Sequence, residues 1–200
     1  LLPRNVPTVF NTALQFAQHY GGNRVDVEEQ ALKALVSPLA YGNKDFAAAE
    51  ARLRAIPGYR PMFEKAFPGE AEPVTAENWS KAIGAYERVL LTPAPFDRYL
   101  GGDVSALSPK AKQGLDKFMS FGCAGCHGGV TVGGQMYQKF GLTQDYWTVT
   151  GSPEIELFKG HDKGRFQDTK NDNDAFIFKV QQLRNVAVTP PYFHDGSVAE

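Results

Sequence analysis

Residues 123–127 read Cys123-Ala124-Gly125-Cys126-His127, and both cysteines of the chain lie in that pentapeptide. Two cysteines in C-x-x-C spacing followed at once by histidine form the attachment signature of c-type haem. The thiols add across two porphyrin vinyl groups, and the adjoining imidazole supplies an axial nitrogen to the iron. A C-x-x-C pair alone also suits a redox dithiol or half a zinc site. The immediate His127 and the absence of any other cysteine weaken both alternatives. Cys123, Cys126 and His127 are therefore the expected haem c ligands, with His127 on the metal.

Upstream, Ser108-Pro109 reads as the cap and first turn of a helix carrying Ala111, Leu115 and Phe118, which runs directly into Phe121-Gly122-Cys123. Such a helix would hold the haem edge against packed side chains. Beyond His127 the periodicity fades, and Gly128, Gly129, Gly133, Gly134, Gly141, Gly151 and Gly160 mark a long loop-rich excursion. Loops of that length usually wrap something, and here the expected object is the haem.

Further upstream, Pro93-Ala94-Pro95 and Gly101-Gly102 mark a boundary. Before it the pattern predicts helices over 26–36, 45–56 and 76–91, and a short segment over 61–67. Asp26 and Glu29 form a capping pair for the first, whose apolar face is Val27, Ala31, Leu32 and Leu35; Pro38 ends it. Phe46, Ala49, Leu53 and Ile56 stripe the second. Thr75 caps the last, with Trp79, Ile83, Tyr86 and Leu90 expected inward as core.

At 200 residues the chain can bury one sizeable core or two small ones. A composition of 42% hydrophobic and 22% charged residues is that of an ordinary globular protein. No apolar run reaches membrane-spanning length. A net charge of -1 gives no electrostatic case for nucleic acid. Thioether attachment of haem takes place outside the bacterial cytoplasm, so a periplasmic location is expected. The chain opens on Leu1-Leu2-Pro3-Arg4 without a signal peptide, so it is either processed or part of something longer.

An internal recurrence favours the second option. Arg4-Asn5-Val6 returns as Arg184-Asn185-Val186, and His19-Tyr20-Gly21-Gly22 has a counterpart in Phe193-His194-Asp195-Gly196. The single cassette precedes the second copy, so a counterpart cassette would precede residue 1, giving two haems in the complete protein.

Other candidate ligands stay open. Met119 and Met136 flank the cassette, and either an axial or a packing role suits them. His161 sits in a turn that reads as solvated. His194 is either an imidazole beside the haem wall or a histidine bonded to a backbone carbonyl. Arg165 and Arg184 suit haem propionates or surface ion pairs equally.

Four stretches together carry a family. Residues 121–127, 134–141, 162–166 and 178–197 resemble the bacterial di-haem cytochrome c peroxidases and the MauG-type enzymes in the same family. Arg4 to Asn11 and Glu28-Glu29-Gln30-Ala31 are similar to it too. The resemblance implies a mostly α fold of tandem cytochrome c-like domains with long haem-wrapping loops. The domains would be 1–100, the remainder of a peroxidatic domain, and 101–200, an electron-transfer domain. The implied activity is reduction of hydrogen peroxide to water. Electrons would enter at the His127 haem from a small periplasmic donor, a cytochrome c or a cupredoxin.

The resemblance also implies a homodimer and a calcium ion between the domains, on the Asn11 side chain and the Thr189 and Pro191 carbonyls. It places Gln30 beside the peroxidatic haem, Tyr20 where a tryptophan aids interhaem transfer, and the axial methionine beyond residue 200. Three departures stand out. The first haem cassette is absent from this chain, as is the histidine expected before the Arg-Asn motif. Trp-Asp-Gly-Arg becomes Tyr20-Gly21-Gly22-Asn23, and the expected catalytic glutamate is Ala40. Loss of that carboxylate leaves MauG-like oxidation of a protein or organic substrate, or plain di-haem electron transfer, as the alternatives.

Overall fold

The structure, a computed structural model, describes residues 4–199; Leu1, Leu2, Pro3 and Glu200 lie outside the described residues. Asp26 starts helix α1 (Val27–Val36) as its sequence predicts. Its carboxylate accepts the Glu29 N–H at 2.7 Å, while Glu29 Oε2 accepts the Val25 N–H at 2.8 Å. This reciprocal cap satisfies two donors that the helix itself leaves unpaired. Asp45 caps α2 (Phe46–Arg54) and Thr75 caps α4 (Ala76–Glu87) in the same manner, with α3 (Tyr59–Ala66) between them. Leu35, Ala49 and Ala76 form a core, with Leu32, Val36, Phe46 and Trp79 packed on it.

Two expectations about α4 are corrected. The helix stops at Glu87, where the Val89 and Leu90 N–H groups turn to the carbonyls of Tyr86 and Glu87, and the Leu90 carbonyl then accepts the Asn11 N–H at 2.8 Å. Trp79 packs on the core as expected, but the buried positions of the helix include Ala76, Ser80, Gly84 and Glu87, whereas Tyr86 is 62% exposed. The reason is close approach. The Glu28 carboxylate of α1 occupies the space where a side chain on Gly84 would stand. On α2, Ile56 lies past the helix end and is exposed.

The Pro93–Gly102 boundary contains a short helix, α5 (Pro95–Leu100), whose Asp97 accepts the Ala94 N–H at 2.7 Å. Helix α6 (Pro109–Ser120) follows, capped by Ser108. After the cassette the chain is loop-rich, as expected. It is pinned by strands β1 (Tyr137–Lys139) and β2 (Ile177–Lys179), which pair antiparallel with Tyr137 opposite Lys179. Two small helices, α7 (Tyr146–Thr150) and α8 (Phe166–Thr169), complete it. Regular structure is thus predominantly helical.

The internal recurrence is present in the backbone, in a register different from the one the Arg-Asn-Val triplets suggest. Asn11 (φ 58°) opens a 3-10 turn, Thr12–Leu14, then come His19 (φ 66°), Gly22 (φ 64°) and a Gln18–Arg24 bridge. Asn185 (φ 59°) opens Val186–Val188, then come Phe193 (φ 65°), Gly196 (φ 70°) and a Tyr192–Val198 bridge. Spacing is identical throughout, so Asn11 matches Asn185 and Tyr20 matches His194. Arg4 and Arg184 are not equivalent.

Candidate functional site

Helix α6 delivers the chain to Gly122, whose φ of 80° turns it into the 3-10 turn Cys123–Gly125. A residue with a Cβ is strained there, which explains the glycine. The His127 N–H closes the turn on the Cys123 carbonyl at 2.9 Å. Both thiols are free, Cys123 exposed and Cys126 half-buried, with Gln138 Nε2 3.8 Å from the latter sulfur. Beside them opens a cleft of about 550 Å³ lined by Phe96, Leu100, Leu115, Phe118, His127 and Leu183, among others.

These residues fit a covalent haem. Two reactive thiols and an imidazole share one turn, and the adjoining cleft is apolar and of cofactor size, in the usual range of about 300–1,000 Å³. His127 Nδ1 is buried with no hydrogen-bond partner among the described residues. Among the described residues nothing competes for Nδ1, and the ring lines the cleft, which leaves the imidazole available as a ligand. Met119 lines the same cleft from α6, while the backbone of Met136 is tied to Val180 N at 3.0 Å; Met136 is absent from the lining.

Arg184 also lines the cleft, but its guanidinium is committed. It holds both Asp97 oxygens, at 2.9 and 2.5 Å, and the Val130 carbonyl. The Arg184 hydrogen bond holds Asp97 down to about 2, and Asp97 in turn raises Arg184. Arg184 thus forms an ion pair with Asp97 at the wall of the cleft. Arg165 likewise donates to the Tyr137 hydroxyl at 2.8 Å and approaches Asp174 at 3.6 Å.

A second centre joins the chain's two halves. Asp162 is wholly buried and takes Arg4 Nε and Nη2 at 2.5 and 2.7 Å, the Gly164 N–H at 2.8 Å, and His194 Nε2 at 2.9 Å. Burial pushes this carboxyl up, but the hydrogen bonds from Arg4 and His194 outweigh it and hold the group at about 2. Rings surround His194: Phe178 at 5.1 Å, Tyr20 at 5.3 Å, Trp147 at 5.5 Å and Phe140 at 5.6 Å. Burial raises the Tyr20 hydroxyl to about 12, so it stays a neutral phenol.

His194 thus has neither expected surrounding: its ring partner is a carboxylate, and it does not line the His127 cleft. His161 is not solvated either. It stacks on Trp147 at 5.3 Å with 5° between planes, its Nδ1 buried without a partner among the described residues.

Gln30 is half-buried on α1, one turn into the helix, and its N–H reaches the Asp26 carbonyl at 3.1 Å. Ala40 is exposed in the turn after α1. Neither nearby glutamate is free to replace its missing carboxylate: Glu29 caps α1 and Glu28 is paired with Arg88. Among the described residues Asn11 bonds to neither Thr189 nor Pro191. The Asn11 oxygen accepts the Thr92 N–H at 2.9 Å and its Nδ2 donates to Thr92 Oγ1 at 2.7 Å. The carboxamide that meets the Pro191 carbonyl, at 2.6 Å, belongs to Asn5. Thr189 closes a turn through its N–H on Val186. Arg4 and Asn5 were legible only as part of the Arg-Asn-Val triplet and Asp162 only within the 162–166 stretch; Trp147 carried no local signal.

The helical scaffold and the thiol–imidazole turn define a covalent haem-binding protein. A family profile described as "Di-haem cytochrome c peroxidase" matches residues 1–105. The cytochrome c551 peroxidase of Pseudomonas aeruginosa is 43% identical over 99% of this chain and 55% of its own length. That of Nitrosomonas europaea is 37% identical over 98% of this chain, again 55% of its own length. Among solved structures, a "MauG-like protein associated with microbial copper homeostasis" superposes over all of this chain and 60% of its own, with a TM-score of 0.81 at 28% identity. The chain belongs to the di-haem cytochrome c peroxidase family. It spans about half the length of the curated relatives it matches.

Proposed function

We propose that this chain forms part of a periplasmic di-haem oxidoreductase in which Cys123, Cys126 and His127 hold the electron-entry haem. The observation that carries this reading is the thiol–imidazole turn opening onto its apolar cleft. The haem, when bound, supplies a reversible one-electron couple. Residues 1–100 would belong to a peroxidatic domain and residues 101–200 to an electron-transfer domain, both of the cytochrome c type and wrapped by loops. Phe121 and Val130 are exposed around the attachment turn, and such an apolar surface suits a small donor protein, a cytochrome c or a cupredoxin. Tyr20, between Arg4 and His194, is the aromatic group at the junction of the two halves and would relay electrons across it. Gln30 would orient peroxide in the first domain. The full protein would work as a homodimer.

Peroxide cleavage requires a proton to move from one oxygen to the other, and Ala40 offers no group for that transfer. Removal of a general acid–base typically costs about 10²–10⁴-fold in rate. Ala40 therefore favours a second reading, in which the protein oxidises a protein or organic substrate or only carries electrons. The experiment is stopped-flow hydrogen peroxide consumption by full-length protein, with its haems counted and only the high-potential one reduced. Two haems with slow turnover, raised about 10²-fold or more by Ala40→Glu, support the peroxidase scaffold. Two haems with no turnover in either form would sink it.

A further inference from the structure

A cleft of about 330 Å³ lies between the turn after α7 and the second copy of the repeated loop. Tyr146, Thr150, Pro153, Phe193, Asp195 and Val198 line it, and it shares no lining residue with the cleft at His127. Phe193 holds its ring 65% exposed although His194 beside it is buried. The Asp195 carboxylate is also exposed, accepts the Ser197 N–H at 3.0 Å, and forms no ion pair among the described residues. Two aromatic faces and an unpaired carboxylate at one mouth suit a flat ring that bears a positive charge.

Tyr146 faces both ways. It lines the cleft, and inward its ring lies 4.9 Å from Trp147 and 4.5 Å from Phe140. Trp147 meets His194 at 5.5 Å, and His194 meets Tyr20 at 5.3 Å. An unbroken series of ring contacts thus leads from the cleft to the junction of the two halves.

We propose that this cleft binds small cationic aromatic amines and that Tyr146 and Trp147 pass electrons from them, one at a time, toward Tyr20. Two cationic amine molecules each lose one electron and one N–H proton to solvent and become radical cations. Those two electrons, with two protons from solvent, reduce one hydrogen peroxide to two waters. The inference rests on the peroxidase reading for its oxidant.

The test uses the full-length holoprotein. Calorimetry with trimethylanilinium, which is cationic and resists oxidation, reads binding alone. Wild type and Tyr146→Phe are expected to bind equally, and Asp195→Asn about five- to tenfold more weakly, since it keeps the Ser197 hydrogen bond but loses the charge. Peroxide-driven oxidation of 4-aminophenyltrimethylammonium is expected to fall about tenfold or more in Tyr146→Phe, with turnover of the donor protein unchanged. Absence of binding to wild type, equal binding in Asp195→Asn, or unchanged amine oxidation in Tyr146→Phe each overturns the proposal. If peroxide is consumed with neither donor, the peroxidase reading fails, and calorimetry alone decides whether the cleft binds amines.

Discussion

The loop from Asn11 to Arg24 and the loop from Asn185 to Val198 trace one backbone in two surroundings. In the first copy Asn11 is buried and clasped to Thr92. The Asp168 carboxylate lies 2.8 Å from where a Cβ on Gly21 would stand, and the Tyr137 hydroxyl is closer still to that position on Gly22. In the second copy Asn185 and Asp195 are exposed, and Gly196 has only Pro191 Cγ within 3.2 Å and the Asn5 side chain beyond it. Side chains in the first copy are dictated by neighbours on both sides, whereas the second keeps a face on which charge and an aromatic ring can stand. The matched positions Tyr20 and His194 meet edge to face where the copies touch.

This contrast can be broken by mutation. The largest effect is expected from Asp162→Ala, which leaves Arg4 and His194 buried without their acceptor and should cost about 3–5 kcal/mol in denaturant unfolding. Asp97→Ala breaks the more exposed Arg184 pair and should cost about 1 kcal/mol or less. Equal losses would show that the junction is no more demanding than the cleft wall. Next, Gly22→Ala combines backbone strain with a steric clash on Tyr137, about 2–5 kcal/mol, while Gly196→Ala carries chiefly the strain, about 1–3 kcal/mol. Exchanging the remaining pair sharpens the point: Gly21→Asp should destabilise by about 1–3 kcal/mol and Asp195→Gly by less than about 1 kcal/mol.

The smallest effect is the pH dependence. Asp162 and Asp97 both sit at about 2 in the folded chain, below the ordinary aspartate value of about 3.9. A depressed carboxyl contributes stability above its unfolded value and loses it as pH falls through the folded one. Stability should therefore drop between about pH 4 and pH 2. Asp162→Asn should flatten that limb more than Asp97→Asn does; the reverse order in acid titrations of unfolding would remove the buried pair from its central place.

Much of this was readable in the residues. The cassette was legible because covalent attachment fixes ligands within five residues, and the caps at Asp26, Thr75 and Ser108 were legible because capping is local chemistry. The inward face of α4 was not, since a hydrophobic stripe says nothing of a helix that approaches its neighbour through Gly84 and Ser80. The register of the duplication was legible in the pairing of residues 19–22 with 193–196 and obscured by the Arg-Asn-Val triplets, because it lives in left-handed backbone positions occupied by different residues, Asn11 with Asn185 and His19 with Phe193. The choice between Asn5 and Asn11 at Pro191, and the partners of His194, depend on contacts between residues far apart in sequence.

The bond between Arg4 and Asp162 also sets a timetable. Arg4 is made before helices α1 to α4, yet its carboxylate partner among the described residues is made 158 positions later. Helices α1 to α4 have their caps and core in hand well before that point, because all their partners are local. Chains assemble from their first-made parts as synthesis proceeds, and distant contacts close last. The segment around Arg4 is thus made ahead of the helical unit and placed after it, waiting beside that unit for the far half of the chain to arrive.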